Sequence, residues 1–407
     1  MLRPICGWIA LAALWAGGAT AAQTMQLTEA EQAALDACFQ LENDAAVPVC
    51  IEDLHLPLPP EGRELLAMVS DTGLQAAHER WQQGFDAAML DHARTLAARG
   101  DARSLLAAAL IIPIRYDEVT AQPLPGPVDP AVWFDAARAV RPADPLVAWL
   151  EATDCVAPRL SCDANVAIAR LLQVDGDNAA VQWRAINAAL DGGDEIAART
   201  HLRLAAQAGR FQPYAGELLT LLLESRNAAP LPPMDADTAQ AMGHIHQLDR
   251  PATNADMVAM LSAAQWAATA LPARAGVMQL CEPDRRDPDP MLRQDCIALL
   301  AKLAADESMV IFPAIALPRL VELTHGPQRA AWQSQLRDHT WIIEQYPSSL
   351  AGGADADFPY RVAADGELEA IRHQMQDSGI PIQPPADWLP RNPRTRALVT
   401  TGRAPAS

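Results

Sequence analysis

Lysine is almost missing from this chain. Of 31 cationic side chains only Lys302 is a lysine, the rest are arginine, and they face 50 acids for a net charge of -19. Such a surplus of negative charge repels phosphate backbones and anionic membrane surfaces, which argues against nucleic acid as a partner. Aromatic residues make up only 5%, and no stretch alternates β-branched and polar residues with the period of two that a half-buried strand shows. Beyond the first residues, no run is long and apolar enough to span a bilayer.

Catalytic signatures are missing as well. There is no HExxH, GxSxG, SxxK, Walker-type glycine loop or GxGxxG, so none of the corresponding chemistries has its local scaffold. His244 and His246 are the only close histidine pair; two residues apart on a helix they point away from each other, so they read as helix histidines. Asp175-Gly176-Asp177-Asn178 lacks the further ligands of a calcium loop and reads as a turn followed by Asn178 as a helix cap. No catalytic residue, metal ligand or cofactor is assigned.

What the chain does have is alanine, about a fifth of its 407 residues, with 50% hydrophobic residues and 33 prolines. That composition describes a soluble, helical, globular protein. Residues 1–22, MLRPICGWIALAALWAGGATAA, join Arg3 to a short apolar run and then small residues. They read as a signal peptide, and the expected address is the periplasm or beyond, by bacterial export. No integral membrane segment is expected after its cleavage. Outside that leader lie six cysteines in three close pairs, with 11, 6 and 14 residues between partners. Six cysteines permit fifteen connectivities. High local concentration in an oxidising compartment favours Cys38–Cys50, Cys155–Cys162 and Cys281–Cys296. A zinc site is disfavoured by the lack of CxxC or nearby histidine.

Helical signals organise the rest. Thr28-x-x-Glu31 matches a capping box, and Glu61–Ser70, Leu74–Gly84, Asp86–Arg99 and Asp101–Ile112 have helical character. Gly100 and Asp101 mark a helix end and the next cap. Proline-rich breaks at 122–130, 228–235, 282–290 and 380–385 end helices by removing donors and clashing with the preceding turn. The resulting division is an N-terminal helical segment over 23–121, repeats over 131–227, and a further helical segment over 235–350. A helix with a docking tail follows over 351–390, where Trp388 and Leu389 are expected to dock, and 391–407 are expected to be disordered.

The repeat is the most informative element. Residues 131–149 lie on 165–183 without a gap at an offset of 34, pairing Val132 with Val166, Val140 with Val174, Val147 with Val181 and Trp149 with Trp183. Asp144 meets Asn178, and the period fades where Glu217 replaces the tryptophan. Trp183, Ile186, Asn187 and Leu190 in one helix, then Ala198, Leu202 and Ala205 in the next, resemble the tetratricopeptide repeat. The resemblance covers residues 131–226, with Asn187 where that family prefers glycine. It implies an all-α solenoid of antiparallel helix pairs with extra helices at both ends, and a groove lined by first helices. Arg184 and Asp191 then become the expected partner-binding residues. The functional expectation is an exported binding or scaffold protein for a protein or peptide partner in the cell envelope. The alternatives are an envelope hydrolase with a carboxylate pair distant in sequence, or a purely structural envelope protein.

Overall fold

The computed structural model describes residues 72–113, 126–154, 163–246, 248–270, 275–282, 289–349 and 355–404. The signal peptide, the Thr28 capping box, the Glu61–Ser70 helix and the pairs Cys38–Cys50 and Cys155–Cys162 lie outside them. The described residues form seventeen helices and no strand, so the fold is all-α. None of these helices is long and apolar enough to cross a membrane.

The first hairpin follows the local signals. Helix α1 (Thr72–Ala97) absorbs both stretches expected on either side of Phe85 and ends before Gly100, whose φ is +75°. Asp101 then accepts from the Ser104 N–H and starts α2 (Ala102–Ile111). Four helices follow in two matched pairs, α3 (Pro130–Ala139) with α4 (Pro145–Asp154) and α5 (Ala164–Asp175) with α6 (Ala179–Asp191). The offset of 34 superposes their caps. Asp129 and Asp163 cap α3 and α5. Asp144 accepts from Leu146 and Val147 N–H groups, and Asn178 accepts from Ala180. Trp149 and Trp183 are both core residues at 3% and 2% exposure, as one large side chain among alanines requires when helices pack closely.

Helix α7 (Glu195–Gln207) packs on α6, and there the order in space parts from the order in sequence. The next helix, α8 (Ala215–Asn227), turns away to pack against α2, α10 (Asn254–Ala270) and α15 (Phe358–Asp365). Helix α9 (Ala236–Ile245) lies on α1, and α11 (Ala275–Leu280) on α6. The place beside α7 is taken by α12 (Pro290–Ala304), which continues through α13 (Ile311–Leu323) to α14 (Gly326–Ser349). Lys302 on α12 donates to the Ala206 carbonyl of α7 at 2.7 Å, so the single lysine caps a neighbour's last turn. Cys281 and Cys296 form a disulfide, both sulfurs in the core.

The C-terminal part departs from expectation twice. Residues 393–401, inside the segment expected to be disordered, form α17 (Pro393–Thr401). Asn392 caps it, and Leu398 is buried against Leu317, Val321 and Leu336; a single apolar anchor in a polar sequence left no periodic signal. Trp388 docks edge-on against Trp341 at 5.2 Å, but Leu389 stays 44% exposed. Helix α16 (Glu367–Asp377) completes this end.

A local device at the start of α10 carries a pH prediction. Asp256 takes two Arg250 bonds at 2.7 and 2.9 Å and the Thr253 N–H and hydroxyl, while its own N–H donates to Thr253 Oγ1. These donors, Arg250 foremost, hold its carboxyl down at about 2. The stabilisation is therefore present above about pH 4, where the unfolded carboxyl ionises, and is lost as pH falls through about 2. Asp256→Asn is expected to lower stability at pH 7 by about 2 kcal/mol. Urea denaturation of the variant should show a flatter acid limb than the parent.

Candidate functional site

A cleft of about 630 Å³ opens where α8 begins, within the size range of ligand sites. Phe211, Tyr214, Leu221 and Ala363 give it apolar walls, and Glu217, Glu224 and Asp306 line it with acid beside Arg103. It draws on α2, on the segment before α8, on α8 itself, on the α12–α13 connection and on α15, so five parts of the chain must meet to build it.

The segment before α8 is held by the cap of another helix. Asn178, wholly buried, already caps α6, and its amide also grips the incoming chain. Its Oδ1 accepts from the Gln212 N–H at 2.9 Å and its Nδ2 donates to the Gln212 carbonyl at 2.8 Å. The Ala179 N–H adds a bond to the Arg210 carbonyl at 2.9 Å. Asp175, buried at the end of α5, accepts from the Tyr214 hydroxyl, the Arg210 guanidinium and Asn178. Tyr214 is thereby fixed with φ +57°, the left-handed region that a non-glycine residue rarely occupies. Its ring packs on Trp149 at 5.5 Å. Burial, and then the bond to Asp175, push its phenol well above the usual range.

From Asp175 the polar contacts run into the cleft. Arg210 donates to Gln212, Gln212 to Glu217, and Arg103 forks between Glu217 at 2.9 Å and Asp144 at 2.6 Å. Arg103 is thus neutralised, and Glu224 and Asp306 leave the cleft net acidic. Burial raises the Asp306 carboxyl above its ordinary range, opposed by the Ser308 hydroxyl and N–H that donate to it. A partly enclosed carboxyl of this kind holds its proton more readily than a surface one.

The residues expected from the sequence lie elsewhere. Arg184 lies inside the protein at 8% exposure, its guanidinium 4.0 Å over the Trp149 ring, so it presents no face to a groove. The expectation puts a cation of a first helix in a groove, whereas the aromatic face of Trp149 beneath it accommodates the charge indoors. Asp191 is exposed at the end of α6, in the turn leading to α7. His244 falls within α9 and His246 at its end. In the sequence, Asp175 and Asn178 signal only a turn and a cap. Their second role depends on residues 210–214, and the exact 34-residue step from Asn178 to Gln212 was the one available signal. The chain matches no family model, no curated protein and no solved structure.

Proposed function

We propose that the chain is an exported helical-repeat scaffold that holds a protein or peptide partner in the cell envelope. In this reading residues 131–226 are tetratricopeptide-like antiparallel helix pairs, and the cleft beside α8 receives a cationic side chain of the partner. The observation that carries the reading is the cleft itself: apolar walls around Phe211 and Tyr214, with acids left over once Arg103 is paired. Apolar walls favour burying an aliphatic or guanidinium stem, and the carboxylates supply charge-assisted bonds at its tip. The test uses fluorescein-labelled peptides bearing arginine, lysine or glutamate at one central position. The arginine and lysine peptides should bind and the glutamate peptide should not. The pair of substitutions Glu224→Gln and Asp306→Asn should weaken binding at least tenfold, about 1.4 kcal/mol, without lowering the melting temperature. Equal affinity for all three peptides would remove this reading.

A hydrolase reading draws support from one observation, the raised carboxyl of Asp306 in a cleft shared with Glu217 and Glu224. Acid–base chemistry needs one carboxyl that keeps its proton and one that does not. Under it, turnover of an envelope substrate would vanish in Asp306→Asn, whereas scaffold binding involves no product at all.

A further inference from the structure

The end of the chain lies on α13 and α14 as a peptide lies on its receptor. Helix α16 closes across Gly379 (φ +70°), where the Ile380 N–H donates to the Met375 carbonyl at 2.8 Å. Beyond that point, among the described residues, no backbone–backbone bond joins 381–404 to the rest of the molecule. Of this tail only Pro390, Leu398 and Gly402 are buried.

The grip on the tail is exerted by side chains of α14 on main-chain carbonyls. Gln333, Arg337 and Trp341 stand four apart along α14 and so share one face. Trp341 Nε1 donates to the Pro381 carbonyl at 2.7 Å, and Arg337 donates to the carbonyls of Pro385 and, at 3.2 Å, of Trp388. Gln333 Nε2 donates to the carbonyls of Leu398 and Val399 at 3.0 and 2.9 Å. Such bonds hold a backbone whatever its sequence, and two apolar anchors add the selectivity. Trp388 meets Trp341 edge-on, and Leu398 packs among Leu317 and Val321 of α13 and Leu336 of α14. Main-chain bonds combined with spaced side-chain pockets are a recurring form of peptide recognition. Prolines at 381, 384, 385, 390 and 393 stiffen the segment and reduce the entropy lost when it docks.

Charge favours the same docking. Residues 381–407 carry Arg391, Arg394, Arg396 and Arg403 against Asp387 alone, a surplus of three positive charges in a chain whose total is -19. Arg391 lies 3.6 Å from Glu344 of α14, and its N–H donates to the same carboxylate at 2.8 Å. Arg394 reaches Glu322 of α13 at 3.5 Å. A basic tail on an acidic molecule is drawn to this face on its own chain or on another.

We propose that this face of α13 and α14 is a peptide-binding surface, separate from the cleft, whose partner is the basic tail of a second copy, exchanged for the resident tail by a swing about Gly379. The occupant follows from the fit: carbonyl bonds, both anchors and both arginine contacts are made to this one sequence. Exchange between copies forms the same contacts and gives up only the advantage of being tethered.

Two full-length variants test this. Gln333→Ala with Arg337→Ala leaves a tail without its grip, and Trp388→Ala with Leu398→Ala leaves a grip without its anchors. Mixed, they should form a one-to-one complex in sedimentation equilibrium that weakens with salt, while each alone stays monomeric. A fluorescein-labelled peptide of residues 379–404 should bind the Trp388→Ala, Leu398→Ala chain about tenfold more tightly than the Gln333→Ala, Arg337→Ala chain. The parent should bind it more weakly than the former, because its resident tail competes. A mixture that stays monomeric, or equal peptide binding by all three chains, would overturn the proposal. Equally tight binding of a peptide that itself carries Trp388→Ala and Leu398→Ala would also overturn it, since the face would then accept any proline-rich segment of a partner. So would loss of the cooperative thermal transition in the Trp388→Ala, Leu398→Ala chain, since the tail would then belong to the core.

Discussion

Replacing Trp183 with alanine is expected to lower the free energy of unfolding by about 3–5 kcal/mol. The side chain is 2% exposed and lies 6.2 Å from Phe211 and 5.8 Å from Phe312, which are themselves 5.1 Å apart. These three rings come from α6, from the segment that leaves α7, and from α13, so one cavity would loosen three parts of the core. The surroundings belong to helices fixed elsewhere and cannot collapse to fill the space, which puts the cost high in the range. The indole N–H is buried without an acceptor among the described residues. Trp183→Phe should therefore recover much of the loss, because it keeps a ring and sheds an unsatisfied donor. Urea denaturation reads both variants as a lower midpoint at an unchanged slope.

Asp175→Ala is expected to cost a similar 3–5 kcal/mol through a different cause. Its carboxylate is nearly inaccessible and gathers three donors from Asn178, Arg210 and Tyr214. Truncation strands a buried phenol, leaves the Asn178 amide with the Gln212 carbonyl as its acceptor, and unties the chain that enters α8. The cleft should suffer along with stability, because Phe211, Gln212 and Tyr214 line it. Tyr214→Phe removes one donor and keeps the ring on Trp149, so it should cost only about 1 kcal/mol. If Asp175→Ala matched that small figure, the network would not be what fixes the segment before α8.

What could be read from the sequence was local. Asp101, Asp129, Asp163 and Asn178 announce helix starts because a capping bond spans only two or three residues. Trp149 and Trp183 stand out in the sequence because one bulky residue recurs among alanines at a step of 34. The Cys281–Cys296 bond followed from proximity along the chain. Nothing local announces that α8 crosses to α2, and the fading of the period at Glu217 was its only trace. The burial of Arg184 is hidden for the same reason: the ring that shelters it stands on another helix, 35 positions earlier. Helix α17 carries no periodic signal because Leu398 is its one buried residue. The cleft was illegible altogether, since it exists only where distant segments converge.

The return of α12 to the side of α7 has a kinetic consequence. Between the two helices the polypeptide makes an excursion through α8, α9, α10 and α11 before coming back. Closing so wide a loop carries an entropy cost, which the docking of α8 on α2 and of α11 on α6 meets only in part. Helices α2 to α7 can assemble by successive short-range pairings, while everything from α12 onward waits for that closure. A nascent or refolding molecule should therefore pass through a half-built form, with the flank of α7 bare and open to misassociation until α12 arrives.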